Sequence, residues 1–186
     1  MKAYKDIPIF PLKSIILPGG QFPLRIFERR YLDMTRDCLK NNNGFIIALT
    51  KRDSDYISSV YDYASYVEIV DWSQLDGGLL GITVEGKQIV KLSNCNLDEC
   101  NLLKGDAEEV EYGVDYLVPQ KYQILSKFYK KIYPEIKAYI FHIKPKYNDA
   151  NWLGFRLIEC LPIELNDKAD LISMQEPLDR LERILH

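Results

Sequence analysis

Two prolines interrupt the first apolar run, Ile7-Pro8-Ile9-Phe10-Pro11-Leu12, and they limit what this chain can fold into more than any other feature. Proline has no N–H to give to a ladder, so the run reads as a strand confined to a sheet edge or a bulge. Pro18-Gly19-Gly20 then fixes one φ and leaves two permissive positions, which is turn chemistry. Phe22, Leu24 and Ile26 alternate with Pro23, Arg25 and Phe27 at the period of a half-buried strand. From Glu28 the period changes. Leu32, Thr35 and Leu39 share one helical face, flanked by Tyr31 and Cys38, and Asn41-Asn42-Asn43-Gly44 ends the helix. The expected opening is strand, turn, strand, helix.

Phe45 to Thr50 reads as a fully buried strand and Lys51 to Ser59 as a polar surface loop. Val60 to Trp72 is strand-like and Asp76-Gly77-Gly78 is a strong turn. Leu80, Ile82 and Val84 alternate with Gly81, Thr83 and Glu85, and Ile89 to Leu92 continues the sheet after Gly86. Asn94 to Asp106 reads as a polar loop, with Ala107 to Tyr112 as a last strand. Composition shifts near Gly113. Pro119 is placed to start a helix in which Ile124, Leu125, Phe128, Tyr129 and Ile132 recur at helical spacing, and Pro134 should kink or break it. Glu135 to His142 suggests another short helix. Asn151 is expected to cap the next, whose face of Trp152, Phe155 and Glu159 and stripe of Leu153, Leu157 and Leu161 demand packing on two sides. Leu171-Ile172 and then Leu178, Leu181 and Leu185 suggest two closing helices, the last starting at Pro177. A β-rich part over 1–113 and a helical part over 114–186 make this an α+β chain.

Taken in order, these pieces resemble the N-terminal substrate-binding domain of the ATP-dependent Lon proteases. The resemblance rests on the proline-interrupted strand, the Pro-Gly turn, Leu24-Arg25-Ile26-Phe27-Glu28 and the Arg30-Tyr31 of the helix. It continues through Asp76-Gly77 and Val84-Glu85-Gly86 to Leu157-Ile158-Glu159-Cys160-Leu161-Pro162. Lys168-Ala169-Asp170-Leu171-Ile172 and Arg180-Leu181-Glu182-Arg183-Ile184-Leu185 complete it. It implies a PUA-like pseudo-β-barrel followed by a helical subdomain, and a non-catalytic function in binding unfolded or extended polypeptide. A separate protease or chaperone is the partner it suggests, because a Lon protease continues into ATPase and protease domains beyond the 186 residues present here. Apolar side chains of a disordered segment are then expected in a groove near the sheet–helix junction, with a strand edge adding main-chain bonds. Tyr61-Asp62 replaces the family's Gly-Thr, and Gln88 stands where an Arg is common. Both departures bear on ligand contacts rather than on the fold.

Composition narrows the alternatives. A net charge of −3 gives no electrostatic reason to expect nucleic acid. No signal-like start or bilayer-length apolar run is seen, so a cytoplasmic chain without membrane contact is expected. Cys38, Cys95, Cys100 and Cys160 lack Cys-x-x-Cys spacing and read as free thiols. Gly81 to Lys87 fits the spacing of a phosphate loop, but its β-branched, alternating interior and the following Gln88 are those of a strand. His142 has no visible partner motif and His186 is terminal, so no catalytic residue, metal or cofactor is assigned. Paired acids such as Glu108-Glu109 and Asp98-Glu99 read as solvated faces. Among thirteen tyrosines, Tyr61, Tyr63, Tyr129 and Tyr133 are the candidates for peptide contact, against the plainer role of filling core edges. Two rivals remain: a PUA-like RNA-binding module, and an enzyme built on His142 or a cysteine.

Overall fold

A computed structural model describes residues 1–51, 59–113, 116–138 and 144–186. Its strands are β1 (Ala3–Leu12), β2 (Gln21–Ile26), β3 (Phe45–Leu49), β4 (Tyr63–Gln74), β5 (Leu80–Leu97) and β6 (Leu103–Glu109). They form one mixed sheet in the order β2-β5-β4-β3-β1-β6. A further β5–β6 pairing closes five of them into a barrel, with β2 attached outside the ring along the first half of β5. The helices are α1 (Arg29–Asn41), α2 (Gln123–Ile136), α3 (Ala150–Cys160), α4 (Leu165–Ser173) and α5 (Pro177–Leu185). None of the described helices is long and apolar enough to cross a membrane.

The prolines of β1 do not place it at the sheet edge: it lies between β3 and β6. Its two neighbours divide it, however. β6 pairs with residues from Ala3 to Ile9 and β3 with Ile9 to Leu12, so Pro8 and Pro11 each have a strand on one side only. A bulge is present between Tyr4 and Ile7, ahead of both prolines, with Asp6 at φ 49°. Each half of β1 is locally an edge, which is how the missing N–H groups are tolerated.

Alternate residues sort into distinct cores. Ile7, Ile9, Ile46, Ala48, Ala64, Tyr66, Val90, Leu92, Leu103 and Ala107 pack together inside the barrel. The opposite faces supply Phe10, Phe45, Ile47, Leu49, Val67, Ile82, Val84 and Ile89, which meet Tyr31 and Met34 of α1 and Phe155 and Ile158 of α3. β3 is buried on both faces, which explains its unbroken apolar run. A third cluster, including Tyr122, Leu125, Tyr129, Trp152, Leu153, Leu157 and Leu181, joins α2, α3 and α5. α3 contributes to two cores and is buried almost throughout, as its two stripes required.

Several boundaries differ from expectation. α1 buries Tyr31, Met34, Thr35 and Cys38 and leaves Leu39 exposed; the Tyr31 ring lies tilted against Phe10 at 4.2 Å between centroids. The Asn94–Asp106 stretch is mostly strand, with β5 running to Leu97 and β6 starting at Leu103, and its exposed polar face hid the pattern. The helix through Pro134 continues to Ile136. Asp149 rather than Asn151 caps α3, accepting from the Trp152 N–H at 2.9 Å. Most of the Lys51–Ser59 loop, and residues 139–142 of the short helix expected before Pro145, including His142, lie outside the described residues. Gly81 to Lys87 is continuous extended backbone inside β5. The cysteines are free: Cys38 is buried, Cys160 half-buried, and Cys95 and Cys100 exposed.

Candidate functional site

Segments far apart in sequence converge where the barrel meets α3. The Pro18-Gly19-Gly20 turn lies against the Val84-Glu85-Gly86 segment of β5: the Gly19 N–H donates to the Gly86 carbonyl and the Gly86 N–H to the Gly20 carbonyl, each at 2.9 Å. A side chain at Gly86 would sit 2.3 Å from the Leu17 carbonyl oxygen, and one at Gly20 would sit 2.6 Å from Glu159 Oε1. Neither position has room for a methyl group. α3 offers a charge pair to the turn.

That pair is Arg156 Nε and Glu159 Oε2, 2.8 Å apart and fully enclosed. Glu159 Oε1 accepts the Leu17 N–H at 2.6 Å, while Arg156 Nη2 donates to the Leu17 and Pro18 carbonyls at 3.0 and 3.2 Å. Burial pushes the Glu159 carboxyl above its ordinary range, against the pull of Arg156 and the Leu17 N–H. Lys168 of α4 is also buried, and its Nζ donates to the Glu159 carbonyl at 3.4 Å near the C-terminal end of α3, where a cation is favoured. Burial lowers the pKa of that amine. Arg180 of α5 donates to the Met174 carbonyl at 2.6 Å and to Asn151 Oδ1 at 3.2 Å, beneath the rings of Tyr112 and Phe155. Glu159, Lys168 and Arg180 thus all hold or orient α3.

Above this platform runs a groove. One part, about 460 Å³, has Trp152, Phe155 and Pro18 against Gln21, Glu85 and Lys146. An adjoining part of about 410 Å³ shares Pro18, Asn151 and Phe155 and adds Ile89, Tyr112 and Gln88. The floor is aromatic and aliphatic, and the rim is charged. Burial pushes the Glu85 carboxyl up, but hydrogen bonds from Lys87 and Gln21 outweigh it and hold the group below its ordinary value. Gln88 is turned to the Val110 carbonyl at 2.8 Å. A further depression of about 510 Å³ lies between α1 and the start of β1, where Tyr4, Tyr66 and Met34 are ringed by Asp33, Asp37 and Lys104.

The four candidate tyrosines form two separate pairs. Tyr61 and Tyr63 flank Asp62 at the entry to β4, where Tyr61 donates to Asn166 of α4, and line a shallow depression of about 290 Å³. Tyr129 is fully buried, edge-on to Trp152 at 5.7 Å, with the half-buried Tyr133 5.9 Å away. The groove residues themselves, Trp152 and Phe155 above all, were read only as a helix face. Among the described residues, no three or more His, Cys, Asp or Glu side chains gather as a metal ion would need.

The family model for the substrate-binding domain of the ATP-dependent protease La (Lon) matches residues 6–186. The chain belongs to the Lon substrate-binding domain family. A Lon N-terminal domain protein from Xanthomonas campestris has the same fold, with a TM-score of 0.80 and 26% identity, covering 100% of this chain and 98% of that one. The N-terminal domain of Mycobacterium avium complex Lon protease gives a TM-score of 0.64 at 16% identity over 99% and 96% of the two chains. Lon protease 3 of Sorangium cellulosum is 24% identical across 96% of this chain and 23% of its own length. Lon protease of Endomicrobium trichonymphae is 23% identical over the same shares. The chain therefore spans about a quarter of these curated relatives, the part that forms the Lon substrate-binding domain. The Pro-Gly turn, the Val-x-Gly segment and the Leu-x-Glu-x-Leu-Pro helix that carry the Lon resemblance are the three segments that meet beneath the groove.

Proposed function

We propose that this domain binds unfolded or extended polypeptide without acting on it chemically, holding apolar side chains in the groove between the Pro18 turn and α3. The observation that carries this reading is the aromatic floor of Trp152, Phe155 and Tyr112, set on a buried ion-paired platform and open above. Burying two or three apolar side chains gains roughly 1.5–3 kcal/mol each. Association and ordering of the segment consume much of that gain. Binding is therefore weak and tolerant of sequence, as a recogniser of many unfolded chains requires. Tyr61, Tyr63 and Tyr133 are proposed as outer contacts for a longer segment, while Tyr129 acts from below by packing against Trp152. The partner that receives the bound polypeptide is proposed to be a protease or chaperone, since the relatives are proteases.

The test is a titration of the domain with the native and the reduced, carboxymethylated forms of one protein. Micromolar or weaker binding to the unfolded form alone is expected, with Pro18→Glu lowering it about tenfold by placing a charge on the apolar wall. Equal binding to both forms, or to neither, overturns the proposal.

A further inference from the structure

β4 is longer than the neighbour that covers it. Its pairing with β3 ends at Val67, whereas its pairing with β5 runs on to Gln74. Among the described residues no strand lies against the outer side of Glu68 to Gln74. Apart from the half-buried Ile69 the side chains there are exposed, with Val70, at the register shift between Ile69 and Asp71, 44% exposed and Trp72 58%. The Trp72 N–H donates to the carboxylate of its neighbour Asp71 at 2.9 Å.

Register shows what is missing. Leu24 of β2 stands opposite Ile82 of β5, and Ile82 stands opposite Trp72 of β4, so the three form one row on one face of the sheet. Leu24 and Ile82 are buried, but the row runs out into solvent at Trp72. Charge limits what can extend it. Glu68, Asp71 and Asp76 lie along or beside this edge, and Lys87 offsets only Glu68, at 3.8 Å. A second copy would bring the same acids against them, so self-pairing is disfavoured.

We propose that the outer edge of β4, Glu68 to Gln74, is a strand-addition site for an extended polypeptide segment in which apolar residues alternate with Lys or Arg. Its main chain pairs with β4, an apolar side chain extends the Leu24–Ile82–Trp72 row, and its cations face Asp71 and Asp76. The site rests on the polypeptide-binding reading above but is distinct from the groove.

The experiment uses the ¹⁵N-labelled domain and a synthetic peptide of about ten residues alternating valine and lysine, long enough to span the edge. Amide shifts concentrated at Glu68 to Gln74 and a blue shift of Trp72 emission are expected. N-methylating the residues whose amides face β4 should weaken binding at least about tenfold, while methylating the alternate residues should change it less than about twofold. Val70→Lys should abolish the shifts, and Pro18→Glu should leave them intact. Shifts confined to Pro18, Gln21 and Phe155 would overturn the edge site and leave polypeptide binding standing. So would loss of binding to the peptide alone while unfolded protein is still bound. Silence toward both ligands would overturn both proposals, and self-association abolished by Val70→Lys would show that the occupant is a second copy.

Discussion

Glu159 ties α3 directly to the Pro-Gly turn: it pairs with Arg156, accepts the Leu17 N–H and lies against Gly20. Glu159→Gln keeps an acceptor for Leu17 but strands a guanidinium in a site with no exposure. Leaving one member of a buried pair uncompensated costs about 3–5 kcal/mol. Urea unfolding should show a fall of that size, and a change under about 1 kcal/mol would mean that the pair does not hold the turn. Periodicity placed Glu159 on one face with Trp152 and Phe155, but it could not reveal a buried charge. Its partner N–H lies 142 residues away, and no local pattern reports on it.

At the scale of elements, the bulge in β1 is held by one carboxylate. Asp106 of β6 accepts from Asn94 Nδ2, from Lys5 Nζ and from the Asp6 N–H, and these bonds hold its pKa at about 2 against an ordinary 3.8. A carboxyl depressed by folding adds stability above its unfolded pKa and loses it as the pH falls toward the folded value. Asp106→Asn should therefore be less stable than the native domain at pH 5, and the gap should have narrowed clearly by about pH 2.5, closing only below the folded value of about 2. A gap that stays constant between those pH values, in urea midpoints measured at each, would refute this. The element order was legible because proline, Pro-Gly and Asn-rich punctuation is local chemistry. The sheet order was not: the partners of β1 are set by closure of the barrel, and the two-sided use of Ile9 leaves no trace in the period of one strand. The candidate site was half legible. The junction was expected, but Trp152 and Phe155 show only the spacing of a packed helix, and the tyrosines were chosen for composition rather than for a shared surface.

For the whole molecule, α3 is the common wall. Phe155, Ile158, Leu171 and Ile172 complete the core between sheet and helices, so a fragment of residues 1–113 lacks one side of that core. It should be a poorly ordered chain that binds a hydrophobic dye, whereas residues 1–186 unfold cooperatively; a sharp thermal transition in the fragment would show that the barrel is self-sufficient. Closure of that barrel also has a kinetic side. Lys5 and Asp106 are 101 residues apart, so β1 must wait for β6 before half of it can pair. Contacts of such long range slow refolding toward the millisecond-to-second regime. In the interval β1 is itself an unfolded apolar strand, the kind of segment the finished domain is proposed to hold.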